Sequence, residues 1–362
     1  MKVAIIGDTH FGIKDGSYNI FSFQKHFFTD VLFPKMNEID SVIFLGDIFH
    51  NRKNINLRIL TEVQWLFKKL KSFKKPVYSI LGNHDFYFRN NYDVSAVRDS
   101  GLQIDFGEKD KKYFIVNENM LLMHWHNSKE ELMETLNFIN DNEQIEKVEY
   151  IFGHFALQGF NMVGSRVDNN ENDAKPDEIS SFFPNLKKIY SGHFHTPSKR
   201  GNVEYVGVPY QQTWADLNYG MGFHILETEN GDDRFFLNPF RYFYSFKVDE
   251  NFILEKEIEN IKELDYRCIY KIVYSGEEFE ETAKKLNDFI AEKNHDVSMI
   301  DESIYEKNIE TNMELSNVSN LDELILKFFE TSDMIPDGKN KFYYDYFKTF
   351  YDDNSIENNE FD

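Results

Sequence analysis

The stretch KVAIIGDTHFG, Lys2 to Gly12, decides the fold: four consecutive apolar residues, Val3 to Ile6, run into Gly7 and then into Asp8 and His10. A short β-rich run that stops at a glycine reads as a strand whose end presents the side chains that follow. Four more stretches repeat this grammar: SVIFLGD (Ser41 to Asp47), PVYSILGN (Pro76 to Asn83), EYIFGH (Glu149 to His154) and KKIYSGH (Lys187 to His193). Each ends on a residue able to hold a metal. Glycine is expected at these ends because it adopts backbone angles that let the chain turn sharply. Between the runs lie helical patterns, such as Ile59, Leu60, Val63, Leu66, Phe67 and Leu70, spaced three or four apart. Strands alternating with helices predict an α/β fold whose functional groups gather at the carboxyl ends of the strands.

Bulk properties bound what surrounds this unit. With 362 residues and 41% hydrophobic content, the chain exceeds what one core usually serves, so two or three globular units are expected. A single cysteine, Cys268, excludes an intramolecular disulfide framework and a cysteine-based zinc site, and its alternating strand makes it a small core residue. The apolar start is too short for a signal peptide, and no run spans a bilayer, so a soluble cytoplasmic protein with no membrane partner is expected. The formal net charge of −22 is unusual for a chain that holds a polyanion.

The α/β unit covers 1–240, closing near Pro239. A smaller βα unit covers 241–304, with RCIYKIVYS as a strand and Phe279, Leu286, Phe289 and Ile290 marking a helix. A polar linker at 305–319 leads to an amphipathic helix pair at 320–351. Leu321, Leu324, Ile325, Phe328 and Phe329 form one face, Tyr343, Tyr346, Phe347 and Phe350 the other. Two helices this short cannot bury those faces alone, so they are expected to dock on a partner. The tail at 352–362 reads as disordered.

The strand ends collect Asp8, His10, Asp47, Asn83, His84, His154, His193 and His195. Carboxylate, amide and imidazole without thiolate suit Mn²⁺, Fe²⁺ or Zn²⁺. Seven of them divide between two ions if Asp47 bridges, and paired ions activate a water for in-line attack while gripping phosphate oxygens. One GD or GNHD alone is more often a turn; five such ends in the same setting point to a dinuclear centre. A second His-x-His pair, His124 and His126, follows Met123 instead of a glycine and reads as structural or as a rim contact, with Trp125 packing in the core.

In this order, GDTHFG, GDIFH, GNHD, GHF and SGHFH resemble the motifs of the calcineurin-like metallophosphoesterases, a likeness that covers roughly residues 1 to 225. The resemblance implies a two-sheet sandwich flanked by helices, followed by a small α/β cap domain and the C-terminal helix pair. It assigns Asp8, His10, Asp47 and His195 to one metal and Asp47, Asn83, His154 and His193 to the other. It makes His84 the non-ligand histidine that stabilises the transition state or protonates the leaving oxygen, with Asp85 holding its ring.

Within that family, GDIFHNRK, GNHDFYFRN and YVGVPYQQTW resemble the nuclease subunits of SbcCD-type complexes, including those of T-even-like phages. That branch implies 3′→5′ exonuclease action on duplex ends and endonuclease action on single strands, in DNA repair and recombination. It also implies two Mn²⁺ per chain, with Mg²⁺, Fe²⁺ or Zn²⁺ as substitutes, and places His50 near the phosphate. The same resemblance implies a DNA-binding role for the cap and a homodimer through Asn54 to Phe73 and Tyr92 to Ser100. An SMC-like coiled-coil ATPase of the SbcC type would bind at 320–351, in a bacterial cytoplasm or a phage-infected cell. The basic residues beside the motifs, Arg52, Lys53, Arg89, Lys199 and Arg200, are candidates for the DNA path, since local rather than net charge governs such contacts. One rival keeps the site but acts on a phosphomonoester or cyclic nucleotide, which leaves the helix pair without a purpose. Another makes the chain a spent scaffold for the ATPase, which leaves a complete ligand set unexplained.

Overall fold

The computed structural model describes residues 1–88, 92–163, 166–167 and 170–302. Arg89, the linker at 305–319, the helix pair at 320–351 and the tail lie outside the described residues. The strands are β1 (Lys2–Ile6), β2 (Ser41–Phe44), β3 (Val77–Ser79), β4 (Tyr113–Val116), β5 (Met120–Met123), β6 (Tyr150–His154), β7 (Asn161–Val163), β8 (Arg166–Val167), β9 (Lys188–Gly192), β10 (Ser198–Arg200), β11 (Val203–Tyr205), β12 (Gly222–Glu227), β13 (Asp232–Leu237), β14 (Phe243–Val248), β15 (Ile269–Tyr274) and β16 (Asp296–Asp301). The five apolar runs expected as strands are β1, β2, β3, β6 and β9.

Two sheets carry the centre of the molecule, ordered β13-β12-β1-β2-β3 and β10-β11-β9-β6-β5-β4. β1, β2 and β3 run parallel, as do β5, β6 and β9, so their carboxyl ends fall together at one edge of each sheet. Parallel strands covered on both faces read as unbroken apolar runs, which is how they appear in the sequence.

Alternation along each strand sorts the side chains into layers. Val3, Ile5, Ile43 and Leu45 meet Leu122, Phe152, Tyr190 and Val206 in a core between the sheets. Ala4, Ile6, Val42 and Phe44 point the other way, into a core closed by helices. On the far side of the second sheet, Leu121, Met123, Ile151 and Ile189 meet another helical layer. The result is the two-sheet sandwich flanked by helices that the resemblance implied.

The helices are α1 (Ile13–Gly16), a single irregular turn, α2 (Tyr18–His26), α3 (Leu57–Ser72), α4 (Ala96–Asp99), α5 (Lys129–Asn142), α6 (Pro176–Ser180), α7 (Leu254–Lys262) and α8 (Glu277–Glu292). α3 buries Ile59, Val63, Leu66, Phe67 and Leu70, and the Asn56 side chain caps it by accepting the Ile59 N–H. Each such burial contributes about 1.5–3 kcal/mol. α5 lays Leu132, Leu136 and Ile139 on the second sheet.

Beyond the sandwich, the strand and helix read between Arg267 and Ile290 are β15 and α8, in a three-stranded sheet ordered β14-β15-β16. The flanking strands escaped the sequence reading because β14 buries only its two end residues and β16 buries none of its residues fully. Cys268 is buried and free, and burial pushes its thiol up to about 12. The chain divides into two compact units. One takes Met1–Phe246, Ile253–Lys271 and Leu286–Ser298; the other takes Lys247–Phe252, Ile272–Lys285 and, among the described residues, 299–302. Among the described residues, no helix is long and apolar enough to cross a membrane.

Candidate metal centre

The strand ends converge. His10 Nε2 lies 3.0 Å from His195 Nε2 and 3.6 Å from Asp47 Oδ2. The same Asp47 oxygen is 3.5 Å from His154 Nε2, which is 3.0 Å from Asn83 Oδ1; that amide oxygen is in turn 3.2 Å from His193 Nδ1. Asp8 groups with His10 and His195, and again with Asp47 and His154, with donor atoms within 4.8 Å of one another. All seven residues expected as ligands are thus brought together, with Asp47 in the middle.

The backbone is strained where it presents them. His10, Asp47 and His193 have φ of 44°, 48° and 85°, in the left-handed region that non-glycine residues avoid. The glycines before them do more than turn the chain. Gly46 does need its left-handed φ of 91°. Gly82 and Gly192 provide clearance instead: a Cβ on Gly82 would stand 2.2 Å from Asp47 Oδ1, and one on Gly192 would stand 2.4 Å from Asp8 Oδ1. The expectation of a sharp turn at every strand end is corrected to one turn and several close approaches.

Asp8 and His154 are fully buried, Asp47 and His10 nearly so. Among the described residues, the ion pairs of Asp8 and Asp47 are with imidazoles. Burial, opposed by His154 and reinforced by Asp47, raises Asp8 to about 7. Burial also pushes Asp47 upward, but His154 beside it outweighs that and holds it below the usual carboxylate range. Burial lowers His193 to about 3 and His10 well below its ordinary value, leaving both rings neutral.

The donor set fits divalent ions. Bonds of about 2.0–2.2 Å to a shared ion bring neighbouring donors to roughly 3 Å, close to the separations found here. Asp8 Oδ1 is buried with no hydrogen-bond partner, while Oδ2 accepts the His193 N–H at 2.8 Å. His154 Nδ1 donates to the Leu45 carbonyl at 2.7 Å, which turns Nε2 toward Asp47 and Asn83; against burial, the carboxylates of Asp47 and Asp8 raise this ring to about 9.

His84 donates its backbone N–H to Asp47 Oδ1 at 2.8 Å, and its ring centre lies 5.0 Å from that of His10. Its Nδ1–H donates to the His50 carbonyl at 2.6 Å. The His50 ring stacks on His84 at 5.5 Å and brings its Nδ1 within 3.4 Å of His10 Nδ1. Asp85 does not hold the His84 ring, contrary to expectation. Its fully buried carboxylate turns inward and accepts the N–H groups of Ile48, Phe49 and Gly82, at 3.0, 3.4 and 2.8 Å. It ties together the loops after β2 and β3, and the His50 carbonyl orients the ring.

Several residues here were not read from the sequence as parts of the centre. His124 Nδ1 accepts the Leu81 N–H at 3.1 Å and so holds the strand end before Gly82. Trp125 is half-buried and packs on the donor set itself, 4.9 Å from the His193 ring and 5.8 Å from that of His154. Gln212 donates to the Asp8 carbonyl at 2.7 Å, and Tyr210 to that of Thr9 at 2.5 Å. The segment PYQQ, inside the quoted YVGVPYQQTW, was the available signal. Among the basic candidates, Lys53 is exposed and Arg52 half-buried. Lys199 and Arg200 lie on the edge strand β10, with Lys199 3.7 Å from Glu204 and Arg200 packed over Gly159. In a further group, Glu204, His224 and Asp233, the two carboxylates already pair with the Lys188 ammonium.

The calcineurin-like phosphoesterase family matches residues 1–197. The chain belongs to that family. This phosphoesterase is a hydrolase acting on phosphoester bonds, and membership implies divalent ions in a dinuclear centre. It is 26% identical over 242 residues to exonuclease subunit 1 of Enterobacteria phage T4, covering 66% of this chain and 68% of that one. A solved dimetal phosphatase from Danio rerio aligns at 14% identity with a TM-score of 0.35, covering 62% of this chain and 91% of the other.

Proposed function

We propose that this phosphoesterase is a DNA nuclease that works with two divalent ions, Mn²⁺ foremost. Asp8, His10, Asp47 and His195 hold one ion, and Asp47, Asn83, His154 and His193 the other. The observation that carries this reading is Asp47 Oδ2, 3.6 Å from His10 Nε2 and 3.5 Å from His154 Nε2, in the place of a shared ligand. Bound there, such ions supply Lewis-acid stabilisation to phosphoryl oxygens and lower the pKa of water. The chain's residues do the positioning. Leu45 and Asp85 fix the donors and loops, and the His50 carbonyl anchors His84 through Nδ1. His84 Nε2 is then the atom that holds or moves a proton at the departing oxygen. The His50 side chain steers the phosphate.

The identity with a phage exonuclease subunit supports DNA over a small phosphate ester as substrate. The reading includes 3′→5′ exonuclease action on duplex ends, endonuclease action on single strands, and a homodimer in a bacterial or phage-infected cytoplasm. The DNA path takes in residues 241–304, Arg52, Lys53, Arg89, Lys199 and Arg200. An SMC-like ATPase docks at 320–351 and supplies much of the grip that a chain of net charge −22 lacks.

The test incubates the purified chain with linear duplex DNA and Mn²⁺, with and without the ATPase, beside Asp47→Ala. Nucleotide release that needs the metal and is lost in the variant is expected. Hydrolysis of a phosphomonoester with no release from DNA under any condition sinks the nuclease reading. A chain truncated before Leu321 should fail to co-purify with the ATPase; retention equal to the full chain refutes the docking assignment.

A further inference from the structure

A histidine that ligates a metal through one nitrogen usually donates its other N–H to a partner, and that partner sets the orientation of the ring. For His154 the partner is the Leu45 carbonyl. For His10 it is another imidazole: His10 Nδ1 meets His50 Nδ1 at 3.4 Å.

Backbone contacts, not the His50 ring itself, bring that ring to His10. The loops after β1 and β2 run side by side. His10 and Phe11 donate their N–H groups to the Asp47 and Ile48 carbonyls at 2.9 and 2.7 Å, and the His50 N–H donates to the Phe11 carbonyl at 2.9 Å. The His50 ring then stands edge-on to His10, with centres 5.2 Å apart at 74°, while His84 closes on His10 from 5.0 Å at 90°. His10 is 2% exposed and His50 half-buried, so the ligand ring is the enclosed one and His50 lies between it and the opening of the site.

Two tautomers could make the contact, and the chemistry of the centre chooses between them. If His50 donated its Nδ1–H, the His10 proton would sit on Nε2. That nitrogen lies 3.0 Å from His195 Nε2 and 3.6 Å from Asp47 Oδ2, and it has to be bare to hold an ion. His10 is therefore the donor and His50 Nδ1 the acceptor. A bond of 3.4 Å is a weak one, so the two edge-on rings share the task of holding His10. With Nδ1 spent in this way, the His50 ring offers a substrate an Nε2–H donor and no base.

We infer that His50 is a positioning residue for the metal centre: its Nδ1 holds the His10 ring for the ion shared with Asp8, Asp47 and His195. Its contact with a phosphate is then made through the N–H on the other side of the ring. The inference rests on the dinuclear reading of the centre and assigns one more residue to it.

The test titrates the full chain with Mn²⁺ alone by calorimetry, then follows hydrolysis of bis-para-nitrophenyl phosphate over a range of Mn²⁺ concentrations. His50→Leu is expected to weaken one of the two ions by about tenfold to 100-fold and to leave the other as it was. His50→Asn, whose amide oxygen reaches the place of Nδ1, should restore most of that affinity. Both variants keep the backbone N–H and carbonyl at position 50, so the grip on Phe11 and His84 does not differ between them. The Mn²⁺ concentration giving half-maximal hydrolysis should rise by the same factor in His50→Leu and stay near the wild-type value in His50→Asn. A residue acting on the phosphate alone would lower the rate with that concentration unchanged. If His50→Leu binds both ions as the wild type does, weakens both alike, or is matched in weakness by His50→Asn, the positioning role is overturned while the nuclease reading stands. A wild type that binds no Mn²⁺ overturns both.

Discussion

Asp47 serves both halves of the centre with one oxygen and receives the His84 N–H with the other. Asp47→Asn keeps the volume and removes the charge. It is expected to cut metal-dependent hydrolysis by more than about 100-fold, beyond what loss of a supporting group costs, and to lower the number of ions bound in calorimetric titration. His84→Gln should separate the roles: kcat falls by about 10²–10⁴-fold with ion binding intact. Equal loss of ion binding would make His84 a ligand. Gly82→Ala tests the clearance argument, because its methyl group would stand 2.2 Å from Asp47 Oδ1. Overpacking of that kind costs about 1–3 kcal/mol, and metal affinity should fall with it. An alanine variant that binds metal as the wild type does would show that the loop yields freely.

Among the elements, the connection from β5 to α5 contributes a pH dependence. Burial holds His124 at about 3 and His126 at about 4, below the ordinary histidine value of 6.5. The unfolded chain therefore takes up protons on them at higher pH than the folded one. Their stabilising effect is complete above about pH 6.5 and is lost as pH falls towards 4 and then 3, at up to about 1.4 kcal/mol per pH unit for each ring. Denaturant unfolding between pH 7.5 and 4.5 should show this slope. His124→Gln, which keeps an acceptor for the Leu81 N–H, should remove about one histidine's share, and an unchanged slope would contradict the assignment.

A second element-scale prediction concerns Lys188 on β9, which pairs with Glu204 on β11 and Asp233 on β13 and so links the two sheets. His224 Nδ1 lies 2.8 Å from the same Asp233. Lys188→Met removes the ammonium from two largely buried carboxylates, leaving His224 beside both, and is expected to cost up to about 3–5 kcal/mol in unfolding experiments. Adding Asp233→Asn should recover part of that loss.

For the whole molecule, buried Asp8 and Asp47 make folding and metal binding one equilibrium. Chelation is expected to lower the Tm, and Mn²⁺ at about 100 times its Kd should restore about 2.7 kcal/mol. A Tm indifferent to chelator and metal would mean that the centre does not bind ions in the folded state.

The amino-acid sequence alone determined the repeated strand, glycine and donor pattern, the α/β class and the strand ends that carry the seven candidate donors, because each is written within a segment of a few residues. Backbone periodicity and the apolar run act locally, so they are legible locally. Tertiary structure decided what distant segments do to each other. Whether Gly82 turns or clears depends on Asp47 across the sheet. That Asp85 braces two loops, that Trp125 packs on candidate metal donors, and that Gln212 holds Asp8 across 204 positions all follow from sheet order and register. The Lys188 cluster is drawn from four strands in two sheets, and no stretch of sequence contains it. Those contacts exist only once the parallel strands are stacked, because stacking sets which side chains share a buried edge.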